Sequence, residues 1–140
     1  MKVLFYYNAH NRLNACIEMI VRAHSKNKNA FIFSNHLHFL NDLNHQLWEK
    51  ELFIPHLFAH EIDSENTPFV LSDDLNLFKK QQALIFLPFE SFEFSLDSIE
   101  HFPFVYEIID HDEKTKELGR MRANLYKKEG FSVQYINLMA

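Results

Sequence analysis

Apolar positions along the chain fall into short unbroken runs separated by stretches of helical period. Val3-Leu4-Phe5-Tyr6-Tyr7 is the first run, ended by Asn8, and it predicts a buried strand. Leu13, Ile17, Ile20 and His24 then recur at spacings of four, three and four, with Cys16 and Val21 beside them. That is one face of a helix from about Asn11 to Lys26. Asn27 to Asn29 break the pattern. Ala30-Phe31-Ile32-Phe33 predicts a second buried strand, and Ser34 or Asn35 is the expected cap of the next helix. In that helix Leu37, Leu40, Leu43, Leu47 and Trp48 repeat at helical spacing. Alternation of strand and helix implies a parallel sheet with helices packed on its faces.

The middle of the chain is less regular. Phe53-Ile54-Pro55-His56 contains the first proline and reads as a turn or extended loop. Thr67-Pro68-Phe69-Val70-Leu71 is a short extended piece whose proline points to a strand start or a sheet edge. Gln82 to Pro88 predicts a strand stopped by proline. Phe92, Leu96 and Ile99 predict a short helix. Phe104 to Ile109 is another strand, His111 to Lys128 a long helix, and Phe131 to Ile136 a last strand. No linker or repeat interrupts the pattern, so residues 1–140 read as a single α/β domain.

The long helix carries the clearest charge pattern. At 100° per residue, Leu118, Met121 and Leu125 gather on one side, which is the expected core face. Lys116, Arg120, Ala123 and Lys127 gather on the other as a cationic stripe. Glu107, Asp110, Asp112 and Glu113 precede it, as suits the start of a helix dipole.

Composition then narrows the chemistry. There are only two glycines, Gly119 and Gly130. The dinucleotide fingerprint and the Walker A loop both need more glycine in one turn, so neither nucleotide-binding loop is present. A net charge of -5 argues against an independent, non-specific nucleic-acid binder. One cysteine, Cys16, excludes an internal disulfide, and its place on the apolar helix face reads as a small buried hydrophobe. The opening apolar run is shorter than a signal-peptide core, and no run approaches membrane-spanning length. The expectation is a soluble, cytoplasmic protein with no membrane partner.

No catalytic set is legible. His56 and His60 are four apart with Glu61 next, but the zinc pattern on a helix puts the acid beside the first histidine and adds a third ligand. Loop imidazoles are the better reading, and neither a metal nor a cofactor is expected. Trp48, at the end of an apolar helical face, reads as core, with a partly exposed rim as the alternative. An enzyme alternative would place a small ligand at the carboxyl ends of the strands, near Asn8, His10 and Ser34.

Several local features resemble the chi subunit family of bacterial DNA polymerase III. They are the opening strand Val3 to Tyr7, Leu47-Trp48 followed by Phe53-Ile54-Pro55-His56, and the terminal set Lys116, Arg120, Arg122, Tyr126 and Gly130-Phe131. The resemblance runs over nearly the whole chain. It implies a three-layer Rossmann-like fold without nucleotide loops, and a non-catalytic accessory role in DNA replication. It also implies two partners. One is a small psi subunit, bound as a heterodimer at Phe53, Pro55 and His56, which tethers the chain to the clamp loader. The other is the acidic C-terminal tail of single-stranded DNA-binding protein, held by Lys116 and Arg120, with Ile109 and Trp48 expected to line the slot. Contact with nucleic acid is then mainly indirect. Ala123 stands where the family pattern leads one to expect an aromatic. Gly119 is expected to leave open surface for close approach of the peptide, and Gly130 to end the helix as a C-cap.

Overall fold

The computed structural model describes residues 1–78, 80–89 and 95–139. Its strands are β1 (Lys2–Ala9), β2 (Ala30–Phe33), β3 (His56–Phe58), β4 (Phe69–Ser72), β5 (Ala83–Phe86), β6 (Phe104–Asp110) and β7 (Ser132–Asn137). The helices are α1 (Arg12–Ser25), α2 (Leu37–Glu49) and α3 (Glu113–Lys128). Among the described residues the strands form one sheet in the order β3-β4-β2-β5-β6-β1-β7. Every pairing in it is parallel. The fold is three-layered, α/β and Rossmann-like, as the alternation of elements implies.

Strand residues alternate between two cores. Ile32, Leu71, Ile85 and Ile108 pack with Cys16, Ile17 and Ile20 of α1 and Leu40, Leu43 and Leu47 of α2. Phe31, Phe33, Val70, Leu84, Phe86, Val105 and Ile109 face the other way, with Ala123 and Tyr126 of α3. A sheet buried on both faces explains why its inner strands read as continuous apolar runs. The Cys16 thiol is wholly buried, and that burial pushes its pKa up to about 12.

Three local expectations are corrected, and the open reading of Pro68 is resolved. The Phe53–His56 stretch is not all loop, because His56 opens β3, the edge strand; three residues are too few to show a period. Pro68 marks a strand start and not an edge. Its carbonyl accepts from the Ala30 amide at 2.9 Å, and β4 lies inside β3. The cap of α2 falls at His36, with the Ser34 hydroxyl accepting the His36 amide at 3.2 Å. Leu96–Ser98 forms a single 3-10 turn, while Phe92 lies outside the described residues.

The α3 helix is rotated from its expected setting. Its buried residues are Gly119, Arg122, Ala123 and Tyr126, an i, i+3, i+4, i+7 set. Met121 is 63% exposed, Leu125 is exposed and Leu118 is half-buried. The cause lies on β6. Glu107 is completely buried and needs a counter-ion. Arg122 meets it in a forked contact, Nε donating at 2.9 and 3.0 Å and Nη2 at 2.7 Å, and the Tyr126 hydroxyl donates to it at 2.7 Å. An unpaired buried carboxylate costs more than an exposed Met and Leu, so the charge sets the helix rotation.

Candidate functional site

The rotation of α3 shapes a cleft of about 620 Å³ along the β7 edge of the sheet. Its floor comes from β1 and β6, through Phe5 and Ile109. One wall is α3, presenting Lys116, Gly119, Arg120 and Ala123, and the other is Tyr135 of β7. Register explains the meeting. Phe5 pairs with Tyr135 on one side and with Glu107 on the other, so odd-numbered side chains of three strands share the α3 face.

Three features make the cleft. The first is small side chains on α3. Gly119 is buried, and a Cβ there would stand 2.9 Å from Ile109 Cδ1, so the glycine lets α3 sit close to the sheet. It is therefore a packing glycine as well as a lining residue, and not open surface. Ala123 faces inward beside it, off the solvent-facing stripe expected from the sequence. The second feature is an aromatic wall. Tyr135 stacks on Phe5 with ring centroids 5.8 Å apart, and Lys127 Nζ stands 5.0 Å above the Tyr135 ring. Tyr135 thus supplies the ring that Ala123 lacks. Sequence reasoning missed it because it sits on a strand, not on the charged helix. The third is cations at the mouth. Arg120 is exposed, and Lys116 is half-buried with only an i, i+3 pairing to Glu113 at 3.5 Å. Among the described residues, no carboxylate lines the cleft. An apolar slot with a guanidinium and an ammonium at its rim suits a peptide that joins an aromatic to carboxylates.

Ile109, Lys116 and Arg120 are therefore brought together. Trp48 is not among them. It ends α2, which packs on β3 at the opposite edge of the sheet, so it does not line this slot.

Trp48 instead builds a second surface. It is 51% exposed and Phe53 66% exposed, with ring centroids 6.1 Å apart and Leu52 exposed beside them. Neither is core; the buried position of this segment is taken by Ile54, the residue after Phe53. His56 is buried beneath Trp48, with centroids 4.3 Å apart, and its Nδ1 lies 2.7 Å from the Ile54 carbonyl. That contact fixes the tautomer with hydrogen on Nδ1, and Nε2 is left buried without a partner. Pro55 is half-buried. Of the three residues expected at a partner interface, Phe53 projects, Pro55 shapes the loop and His56 supports the Trp48 ring from below.

The other candidate chemistry does not assemble. His56 lies in a strand and His60 in the turn after it, so they share no helix face. Among the described residues, no group of three His, Cys, Asp or Glu side chains is placed to hold a metal ion. Asn8, His10 and Ser34 do not converge. Asn8 bonds Asn137 at 3.1 Å, His10 stands edge-on to His111, and Ser34 is buried as a turn-former. Among the described residues no helix is long and apolar enough to cross a membrane.

No curated protein matches the chain. The family described as DNA polymerase III chi subunit, HolC, matches residues 1–134. A match over nearly the whole length, on a parallel α/β sheet without nucleotide loops, makes the chain a member of the DNA polymerase III chi subunit family, with an accessory role in replication.

Proposed function

We propose that the chain bridges two proteins of the replication machinery through opposite edges of its sheet. The α3–β7 cleft takes the acidic C-terminal tail of single-stranded DNA-binding protein. The tail's aromatic enters between Ile109, Phe5 and Tyr135, its terminal carboxylate meets the Arg120 fork, and Lys116 attracts the acidic side chains. The observation that carries this reading is the pairing of Lys116 and Arg120 over an apolar slot with no carboxylate in its lining. The Trp48–Phe53 surface takes the psi subunit, because exposed, mutually packed aromatics of this kind anchor protein interfaces.

Titration calorimetry with the tail peptide tests the first half. Arg120→Ala is expected to weaken binding by more than about 1.5 kcal/mol, the scale of a charge-assisted contact. Binding is also expected to fall with salt, as for any exposed charge pairing. Unchanged affinity in Arg120→Ala moves the site elsewhere, and a wild type that binds no peptide removes the reading. For the second half, Phe53→Ala is expected to abolish co-purification with psi while leaving peptide binding intact.

A further inference from the structure

The sheet face opposite α3 holds a second groove, of about 230 Å³, between the carboxyl end of α1 and strands β5 and β6. It shares no lining residue with the α3–β7 cleft. Even-numbered residues of β1 and β6 point to this face, and the register sets Lys2 beside Phe104 and Leu4 beside Tyr106. Three rings are gathered there. Phe104 and Tyr106 lie 6.4 Å apart and within 9° of parallel, and Tyr6 lies 6.1 Å from Tyr106. Phe104 is exposed and the two tyrosines are half-buried, so part of the ring cluster is open to solvent. Three cations line the same groove, Arg22, Lys26 and Lys28, all exposed. None is ion-paired among the described residues, and the lining holds no carboxylate. In a chain of net charge -5, three unneutralised cations beside one aromatic shelf are a local reversal of sign.

We infer that this α1–β6 groove binds single-stranded nucleic acid directly, a few nucleotides at a time. Bases stack on Phe104, Tyr106 and Tyr6, while Arg22, Lys26 and Lys28 take successive phosphates. The chemistry favours this occupant over an acidic peptide. A sheet-borne shelf of rings flanked by cations matches the alternation of π face and phosphate along an unpaired strand. An acidic peptide with a single aromatic would cover one ring and leave the other two without a matching group. Duplex is disfavoured because its bases are already stacked and cannot reach the rings. The proposal goes beyond the bridging role and does not depend on it, since the two grooves lie on opposite faces.

Fluorescence anisotropy of a labelled oligothymidine about twelve nucleotides long, with the full chain, tests it. Three phosphate contacts to a single strand give a salt slope of about -2, so affinity is expected to fall about 20-fold between about 50 and about 200 mM salt. The exposed double substitution Lys26→Glu with Lys28→Glu is expected to weaken binding at least about ten-fold, and Phe104→Ala at least about three-fold. Arg120→Ala, on the far face, is expected to leave oligonucleotide binding unchanged, whatever its effect on the tail peptide. A duplex of the same length is expected to bind more weakly than the single strand. No anisotropy change up to about 100 µM protein at low salt, the weak end of non-specific binding, overturns the proposal. So does binding lost in Arg120→Ala and kept in the lysine variant. Equal affinity for duplex and single strand, or acidic peptide competing at the lysines while oligothymidine does not, also overturns it.

Discussion

Glu107 brings a full carboxylate into the core, and the residues around it are chosen by that charge. Burial lowers the affinity of the Arg122 guanidinium for its proton, but the Glu107 carboxylate overrides this and holds its pKa above the ordinary value. Burial, then the same carboxylate, raises the Tyr126 phenol well above its usual range. Breaking the cluster from one side strands a buried charge. Arg122→Met is therefore expected to lose about 3–5 kcal/mol, read from urea unfolding, whereas Glu107→Leu with Arg122→Met is expected to recover much of it. The cluster also predicts an alkaline limit. Tyr126 and Cys16 both have folded pKa values raised above their unfolded values, Cys16 from 9.0 to about 12. Their contributions are complete below about pH 9 and are lost as pH rises past the unfolded values, because only the unfolded chain releases those protons readily. The urea midpoint is expected to drop between about pH 9 and about pH 12, and Cys16→Ala with Tyr126→Phe to flatten that drop. None of this was legible in the sequence. Glu107 stands three residues before Asp110 and looks like one more acid ahead of a helix, while its partners are fifteen and nineteen residues away.

At the scale of elements, most of the fold was legible, because the inner strands are buried on both faces and leave strong apolar runs, whereas the three residues of β3 leave none. The rotation of α3 was not, since periodicity ranks Leu118, Met121 and Leu125 by hydropathy and cannot count a salt bridge to another element. The site survived the error in part. The rotation carries Lys116 and Arg120 from the far side of the helix to the rim of its buried face, and turns Ala123 inward. The end of α3 followed its local chemistry. Gly130 has φ +84°, its amide donates to the Lys127 carbonyl and the Phe131 amide to the Tyr126 carbonyl, both at 3.0 Å, which is a Schellman ending. Nothing would crowd a Cβ at Gly130, so the cost of Gly130→Ala is backbone strain alone, about 1 kcal/mol by urea unfolding. Gly119 differs, because its obstacle is the tip of Ile109, which has the cleft to turn into. Gly119→Ala is expected to keep the fold and weaken the tail peptide, as calorimetry with circular dichroism would show.

For the whole molecule, the sheet acts as a spacer. The Trp48–Phe53 surface stands at the β3 end, and the cleft spans β6, β1 and β7 at the other, with three strands between. Parallel strands are about 4.8 Å apart, so the two surfaces are separated by roughly 20–30 Å of sheet. The two partners are expected to bind independently. Trp48 is the sole tryptophan, so its emission should respond to the partner at the β3 end and stay unchanged when a tryptophan-free tail peptide fills the cleft. Trp48 itself illustrates where sequence reasoning stops. A helical stripe places it on a face but does not say that the sheet ends beneath it.

The strand order also governs how the chain is made. β1 is made before its two neighbours in the sheet, β6 and β7, which follow roughly a hundred residues later. At ordinary elongation rates Val3 and Phe5 wait on the order of ten seconds for a partner. During that interval Val3 to Tyr7 is an unpaired apolar strand, open to chaperones and proteases. A chain cut short before β6 has neither neighbour of β1, so the apolar run Val3 to Tyr7 stays unpaired in it.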